Sequence, residues 1–304
     1  MNNISSEKKT TSHEATANLF AGLSGRYCPS PAGKQRADSP LVIAIHGGTY
    51  TSAYFDIPEH SLLDLAQSLG MPILAIDRPG YGTSAPLTGD GSSIQGQARF
   101  LTNALKEAWK QYGASTRGIV LIGHSIGGAI ATSIAAQAGD DLPIIGLAIS
   151  GVGLRVPAHF PGMWASFPDG PVQFPVELKD DVMFGPAGSF VESMPAASHV
   201  SDSAAPRQEI LDIVTTWIDD VASIVARVKV PVHYRQAEFD KLWIVDENEV
   251  KQFGEAFTSS PSVDARLVKG TGHCMDFHHI GKALQVQQLG FALQCAAQAT
   301  CSAT

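Results

Sequence analysis

The 304-residue chain is 44% hydrophobic and 16% charged and contains 29 glycines, a composition typical of a globular protein with many turns. Its formal net charge of -8 at pH 7, with no basic run longer than Lys8–Lys9, argues against nucleic-acid binding, which requires clustered lysine and arginine. Because residues 1–16 lack the apolar core of a secretory signal and no segment has about 18 uninterrupted apolar residues, we expect a cytoplasmic protein without a membrane partner.

Short apolar runs alternate with helical patterns along most of the chain. After an N-terminal tail predicted to be disordered over residues 1–16, residues 17–28 are expected to add one or two antiparallel edge strands. The predicted core strands are residues 41–45, 72–76, 119–122, 144–149, 230–234 and 263–268. The predicted helices are residues 59–69, 94–112, 126–137, 246–257 and 277–293. Most of the strand runs are apolar on both faces, which indicates an α/β fold with a mostly parallel, doubly wound sheet flanked by helices.

Residues 154–206 break this alternation. The segment is rich in proline and carries several large apolar side chains, among them Phe160, Trp164 and Phe174. We expect it to be a lid, inserted between the core segments 17–153 and 207–304, with its apolar side over a pocket. The alternative is a long surface loop with a small core of its own.

The four cysteines, Cys28, Cys274, Cys295 and Cys301, fall at no spacing typical of metal ligands. We therefore expect free thiols and no metal ion. Disulfide bonds would be the alternative if the protein were secreted.

The sequence Gly123-His124-Ser125-Ile126-Gly127 follows a predicted buried strand and opens a predicted helix of small residues. In that context a G-x-S-x-G pattern predicts a sharp turn that lifts the serine hydroxyl clear of the sheet, with small neighbours to relieve backbone crowding. The helix N-terminus then faces a developing oxyanion. The alternative is a glycine-rich helix start with an N-cap serine.

Two further motifs follow the first two core strands: residues 46–49, His-Gly-Gly-Thr, and residues 77–84, Asp-Arg-Pro-Gly-Tyr-Gly-Thr-Ser. With the serine motif, they make the chain resemble the α/β-hydrolase superfamily from about Leu41 to the final helix, the predicted lid excepted. The resemblance implies an oxyanion hole formed by the backbone amides of Gly48 or Thr49 and of Ile126. It gives residues 77–84 a structural role, in which Arg78 pairs with a carboxylate, while the imidazole of the first motif only braces its turn.

The resemblance also implies the chain order serine, acid, histidine. His273 lies in a glycine-flanked loop between the last predicted strand and helix, where the family places its general base. His278 and His279 are alternatives, both expected within the last helix.

Asp240, which follows the strand at residues 230–234, is the predicted acid. Glu238 and Asp246 are alternatives within a few residues. A carboxylate after the preceding strand, the other position used in the family, is missing from residues 150–153.

The predicted function is hydrolysis of an ester, lactone or thioester of a small, fairly apolar molecule through an acyl-serine intermediate, with no metal or organic cofactor. A second hypothesis keeps Ser125 but uses it for acyl transfer, carbon–carbon cleavage, or a lyase or cyclase step. A third is a ligand-binding receptor that retains the pocket. The identity of the small-molecule substrate and the oligomeric state are left open.

Overall fold

A computed structural model describes residues 12–31 and 38–301. Eight strands of the described chain form one sheet in the order β1-β2-β4-β3-β5-β6-β7-β8. Their bounds are β1 Thr16–Phe20, β2 Leu23–Cys28, β3 Leu41–Ile45, β4 Ile73–Ile76, β5 Ile119–His124, β6 Ile144–Ser150, β7 Val232–Ala237 and β8 Val263–Val268. The six strands from β3 to β8 run parallel to one another. Strand β2 is antiparallel to its neighbour β4, and β1 is antiparallel to β2. The mostly parallel sheet and the antiparallel strands at its N-terminal edge confirm the sequence prediction.

The helices of the described chain cover both faces of this sheet. Their bounds are α1 Leu62–Ser68, α2 Ile94–Tyr112, α3 Ile126–Gln137, α4 Phe160–Ala165, α5 Val176–Met183, α6 Met194–Ser198, α7 Arg207–Asp212, α8 Thr216–Val225, α9 Glu247–Glu255 and α10 Gly281–Cys301. Successive side chains of β3 enter opposite cores: Ile43 packs on the side of α2, α3 and α8, and Val42 on the side of α1 and α10. Burial on both faces explains why the strand is apolar throughout.

Local sequence patterns predicted some elements better than others. Helices α2 and α3 and strand β8 have the predicted bounds. Strand β7 spans Val232–Ala237 rather than the predicted 230–234. Its end was missed because Arg235 and Gln236 are polar yet buried. Helices α7 and α8, between residues 207 and 225, were not predicted.

The predicted start of the last helix at residue 277 is wrong. Residues Met275–Phe277 form a short 3₁₀ helix, His278 is extended with φ -92° and ψ 168°, and α10 begins only at Gly281. His278 is extended because its imidazole bonds to neighbouring backbone groups rather than lying on a helix surface. Both His278 and His279 therefore precede the helix.

Residues 154–206, called here the insert segment, contain α4, α5 and α6. Backbone bonds tie the segment to the core, including one from the Thr51 N–H to the Ser201 carbonyl at 2.8 Å. At the other end of the chain, residues 1–11 of the predicted tail lie outside the described residues. From residue 12 the chain is described, and the His13 N–H donates to Asp56 at 2.7 Å. No helix in the described ranges is long and apolar enough to cross a membrane.

Candidate active site

Ser125 occupies a strained turn between β5 and α3. Its φ of 54° and ψ of -127° lie where a side chain is rarely tolerated. The crowding around it is direct: a Cβ at Gly123 would lie 2.6 Å from the Gly127 carbonyl oxygen, and a Cβ at Gly127 would collide with the Ile45 carbonyl. The small residues that the sequence motif requires are thus explained by close backbone contacts.

His273 and Asp240 meet at the carboxyl edge of the sheet, after β8 and β7. The His273 Nδ1–H donates to Asp240 Oδ2 at 2.7 Å, and both side chains are buried. The other Asp240 oxygen accepts the Leu242 N–H at 2.9 Å. The Leu242 amide therefore holds the Asp240 carboxylate in place, and the carboxylate fixes the orientation of the His273 imidazole.

The alternative carboxylates have other partners. Glu238 accepts the Gly270 N–H at 2.8 Å, and Asp246 accepts the Glu249 N–H at 2.7 Å, where it caps α9. Neither hydrogen-bonds to a histidine among the described contacts. Asp240 is the one of the three that the fold brings to His273.

Ser125 and His273 contact neighbouring residues at the end of β6, Ser150 and Gly151. The Ser125 N–H donates to the carbonyl of Ser150 at 2.8 Å. A Cβ at Gly151, which has a φ of 64°, would lie 3.1 Å from Cε1 of His273. The opposite nitrogen of this ring, Nε2, is buried and has no hydrogen-bond partner among the described residues. The imidazole thus presents an unused nitrogen in the neighbourhood of the serine.

The turn at residues 46–49 lies directly against the serine motif. A Cβ at Gly47 would be 2.9 Å from the Ser125 Cβ, and one at Gly48 would be 2.9 Å from the Ile126 Cδ1. Within the described chain, no hydrogen-bond partner is recorded for the amides of Gly48 and Ile126. The Thr49 amide, in contrast, faces the Tyr81 hydroxyl at 3.3 Å. The amides of Gly48, in this turn, and of Ile126, at the start of α3, are therefore the ones that remain available to donate a hydrogen bond.

A buried ion pair supports the same turn from behind. Arg78 binds Glu209 at 2.6 and 3.0 Å and also donates to the carbonyls of His46 and Gly47, each at 3.0 Å. The arginine was predicted to pair with a carboxylate, and that prediction is confirmed. Burial would lower the pKa of Arg78, but the Glu209 carboxylate more than offsets it and raises the pKa. The planar guanidinium of Arg78 thus binds the Glu209 carboxylate and two backbone carbonyls of the turn at the same time.

Glu209 and Lys179 were missed by the sequence reasoning. The Lys179 ammonium is buried, donates to the Thr49 carbonyl at 2.7 Å and to Asp202 at 2.5 Å, and lies 3.6 Å from the Tyr50 ring centre. Burial lowers the pKa of Lys179, while Asp202 opposes that shift. Neither residue belongs to a recognisable motif, so only their long-range contacts reveal them.

A cavity of about 370 Å³ opens beside Ser125. The insert segment supplies much of its wall, and the rest comes from residues 48–49 and 125–126, from residues 210–214 and from the loop after β7. Aromatic and aliphatic side chains predominate in the lining, including Phe160, Trp164, Phe167, Phe174, Ile210, Ile213, Val214, Leu242 and Trp243. Such a wall favours an apolar group. In the described ranges, no cluster of three or more His, Cys, Asp or Glu residues is placed to hold a metal ion.

The sheet, the serine turn and the order of the site residues define an α/β-hydrolase enzyme. A sequence model described as the alpha/beta hydrolase family matches residues 42–282, so the chain belongs to that family. No curated protein matches the sequence at a significant level.

Solved structures of the same fold include an esterase, a lipase and a lactonase. A thermophilic esterase from Thermogutta terrifontis is 15% identical, with 90% of this chain and 95% of the other covered and a TM-score of 0.65. A soluble variant of monoglyceride lipase from Saccharomyces cerevisiae is 15% identical, with 97% and 99% covered and a TM-score of 0.68. A mutant of the N-acyl homoserine lactonase AidH is 16% identical, with 94% and 98% covered and a TM-score of 0.61. At these identities the likeness concerns the fold.

Proposed function

We propose that this enzyme hydrolyses an ester, lactone or thioester of a small, fairly apolar molecule through an acyl-serine intermediate. The observation that carries the proposal is the hydrogen bonding of the two ring nitrogens of His273. Its Nδ1 is held by Asp240, and its buried Nε2 lacks a partner within the described chain. The ring packs against Gly151, and the Ser125 N–H bonds the carbonyl of the preceding residue, Ser150. That arrangement is what a general base for a serine hydroxyl requires.

In the proposed mechanism, His273 Nε2 takes the proton of the Ser125 hydroxyl as its oxygen attacks the substrate carbonyl. Asp240 holds the Nδ1–H and stabilises the imidazolium that forms. The amides of Gly48 and Ile126 stabilise the oxyanion, each worth about 3 kcal/mol of transition-state stabilisation. The leaving group takes the proton from the imidazolium. A water molecule, deprotonated by His273 Nε2, then attacks the acyl carbonyl, and the Ser125 oxygen leaves as the imidazolium returns the proton to it, which releases the carboxylic acid.

The size and lining of the cavity support this substrate class. A volume of about 370 Å³ lies near the lower end of the range for small-molecule sites, roughly 300–1,000 Å³. Its aromatic wall favours an aliphatic or aromatic acyl group over a charged one. We further propose that the insert segment acts as a lid, because its side chains form much of the wall beside Ser125.

Fluorophosphonate labelling of the purified protein tests the nucleophile. We expect an adduct on the Ser125 peptide by mass spectrometry, and no adduct in Ser125→Ala or His273→Ala. Ser223→Ala, which changes an exposed serine of α8, is the matched control and should label normally. A folded wild-type protein that stays unlabelled would contradict the proposal.

Product analysis then tests the reaction class. The protein is incubated with nitrophenyl esters of increasing acyl length, with acyl lactones and with acyl thioesters. Release of free carboxylic acid supports hydrolysis. Labelling of Ser125 without formation of any acid would favour acyl transfer or a lyase step instead.

A further inference from the structure

The imidazole of His278 binds backbone groups on both sides of His273. Its Nε2 accepts the Gly272 N–H at 2.9 Å and the Gly185 N–H at 3.0 Å, and its Nδ1–H donates to the Cys274 carbonyl at 2.9 Å. Gly272 and Cys274 are the immediate neighbours of His273 in the chain, and Gly185 belongs to the insert segment. The His278 side chain thus bonds at two points to the loop that carries His273 and at a third point to the insert segment.

These bonds define the protonation state of His278. A ring nitrogen that accepts two N–H groups carries no proton, and the other nitrogen must carry one to bond a carbonyl. The side chain is buried, and burial lowers its pKa. His278 is therefore a neutral imidazole protonated on Nδ1, which matches all three bonds.

The backbones that His278 joins are in direct contact. A Cβ at Gly185 would lie 2.7 Å from the Gly272 nitrogen, and a Cβ at Gly272 would collide with Phe184 and Gly185. The N–H groups of Gly185 and Gly272 both point at Nε2 of His278. The Cys274 N–H adds a parallel connection to the Met183 carbonyl at 2.9 Å. Without the Nε2 acceptor, the buried Gly272 amide and the half-buried Gly185 amide would both lose their hydrogen-bond partner, which costs free energy.

We propose that His278 is a positioning residue, which fixes the loop on either side of His273 and ties it to the insert segment, so that the His273 imidazole stays within reach of Ser125. The inference rests on the proposed function of Ser125 and His273. His278 itself lies outside the cavity lining and takes no part in proton transfer.

Two substitutions separate the polar role of His278 from its packing. In His278→Gln, the side-chain oxygen lies the same number of bonds from Cβ as Nε2 and can accept both amides. In His278→Phe, the ring that packs against Phe184 and Phe190 is retained but every hydrogen bond is lost. His279→Phe is the matched control, because that side chain is exposed and only its backbone N–H is used.

The rate constant for fluorophosphonate labelling is measured for folded protein, well below each variant's melting temperature. We expect the Gln variant and the His279→Phe control to react at close to the wild-type rate. The Phe variant should react on the order of 100-fold more slowly, because a shift of about 1 Å in a catalytic group has an effect of that size. A role in packing alone gives the opposite order, with Phe the faster, and that order would overturn the proposal.

A second measurement does not depend on reactivity or on the Phe variant folding. Nitrogen-15 NMR of histidine-labelled wild-type protein at neutral pH should show His278 as the neutral Nδ1–H tautomer, with Nε2 shifted as a hydrogen-bond acceptor. The signal is assigned by its loss in His278→Gln. An Nε2–H tautomer or an imidazolium would overturn the inference. A wild-type protein that shows the expected tautomer but is not labelled at Ser125 would instead count against the proposed function alone.

Discussion

Replacing Glu209 by leucine removes a buried carboxylate that accepts hydrogen bonds from three side chains: Arg78, Gln97 and Tyr81. Both members of the Arg78–Glu209 pair are 0% exposed. The substitution therefore leaves a guanidinium that stays charged, away from water and without its counter-ion. Breaking a buried pair in this way costs about 3–5 kcal/mol, so we expect the free energy of unfolding to fall by that amount.

Urea denaturation followed by tryptophan fluorescence measures the loss. The control is Glu255→Leu, which removes an exposed pair with Lys251 at 3.7 Å and should cost less than about 1 kcal/mol. The double variant Arg78→Met, Glu209→Leu should regain much of the stability, because neither charge then remains buried and unpaired. If Glu209→Leu were as stable as the control, or if the double variant lost the sum of both single effects, the reasoning would be refuted.

Three further predictions concern the turn, the acid and the pH range. Asp240→Asn should lower kcat about 10⁴-fold with little change in KM, because an amide stabilises the wrong tautomer of the histidine; steady-state kinetics on an active ester checks it. Gly47→Ala should abolish labelling, since its Cβ would lie 2.9 Å from that of Ser125, whereas Gly290→Ala on open helix surface should not. Burial lowers the pKa of His124 well below its usual range, so the unfolded chain binds the proton first; stability should fall as pH drops below about 6.5, as urea midpoints across pH would show.

Much of the fold and part of the candidate site could be predicted because the signals are local. The serine turn needs only a buried strand, small residues and a helix, all within residues 119–137, and α3 begins where the motif predicted. The resemblance to the α/β-hydrolase superfamily supplied the positions of His273 and Asp240, and the parallel sheet explains why they lie together, because the carboxyl ends of its strands meet at one edge. Among three nearby carboxylates, however, only the folded turn distinguishes Asp240, because the choice depends on which oxygen lies 2.7 Å from Nδ1.

The supporting residues were decided by tertiary structure. Glu209 meets Arg78 across 131 positions of the chain, and Lys179 meets the Thr49 carbonyl across 130. His278 was predicted on a helix, but its ring bonds to an insert glycine 93 positions away. The sequence by itself determined the strands and the serine turn, because backbone sterics and apolar periodicity act between near neighbours. The partners of buried polar groups depend on which distant segments pack together, so only the folded chain decides them.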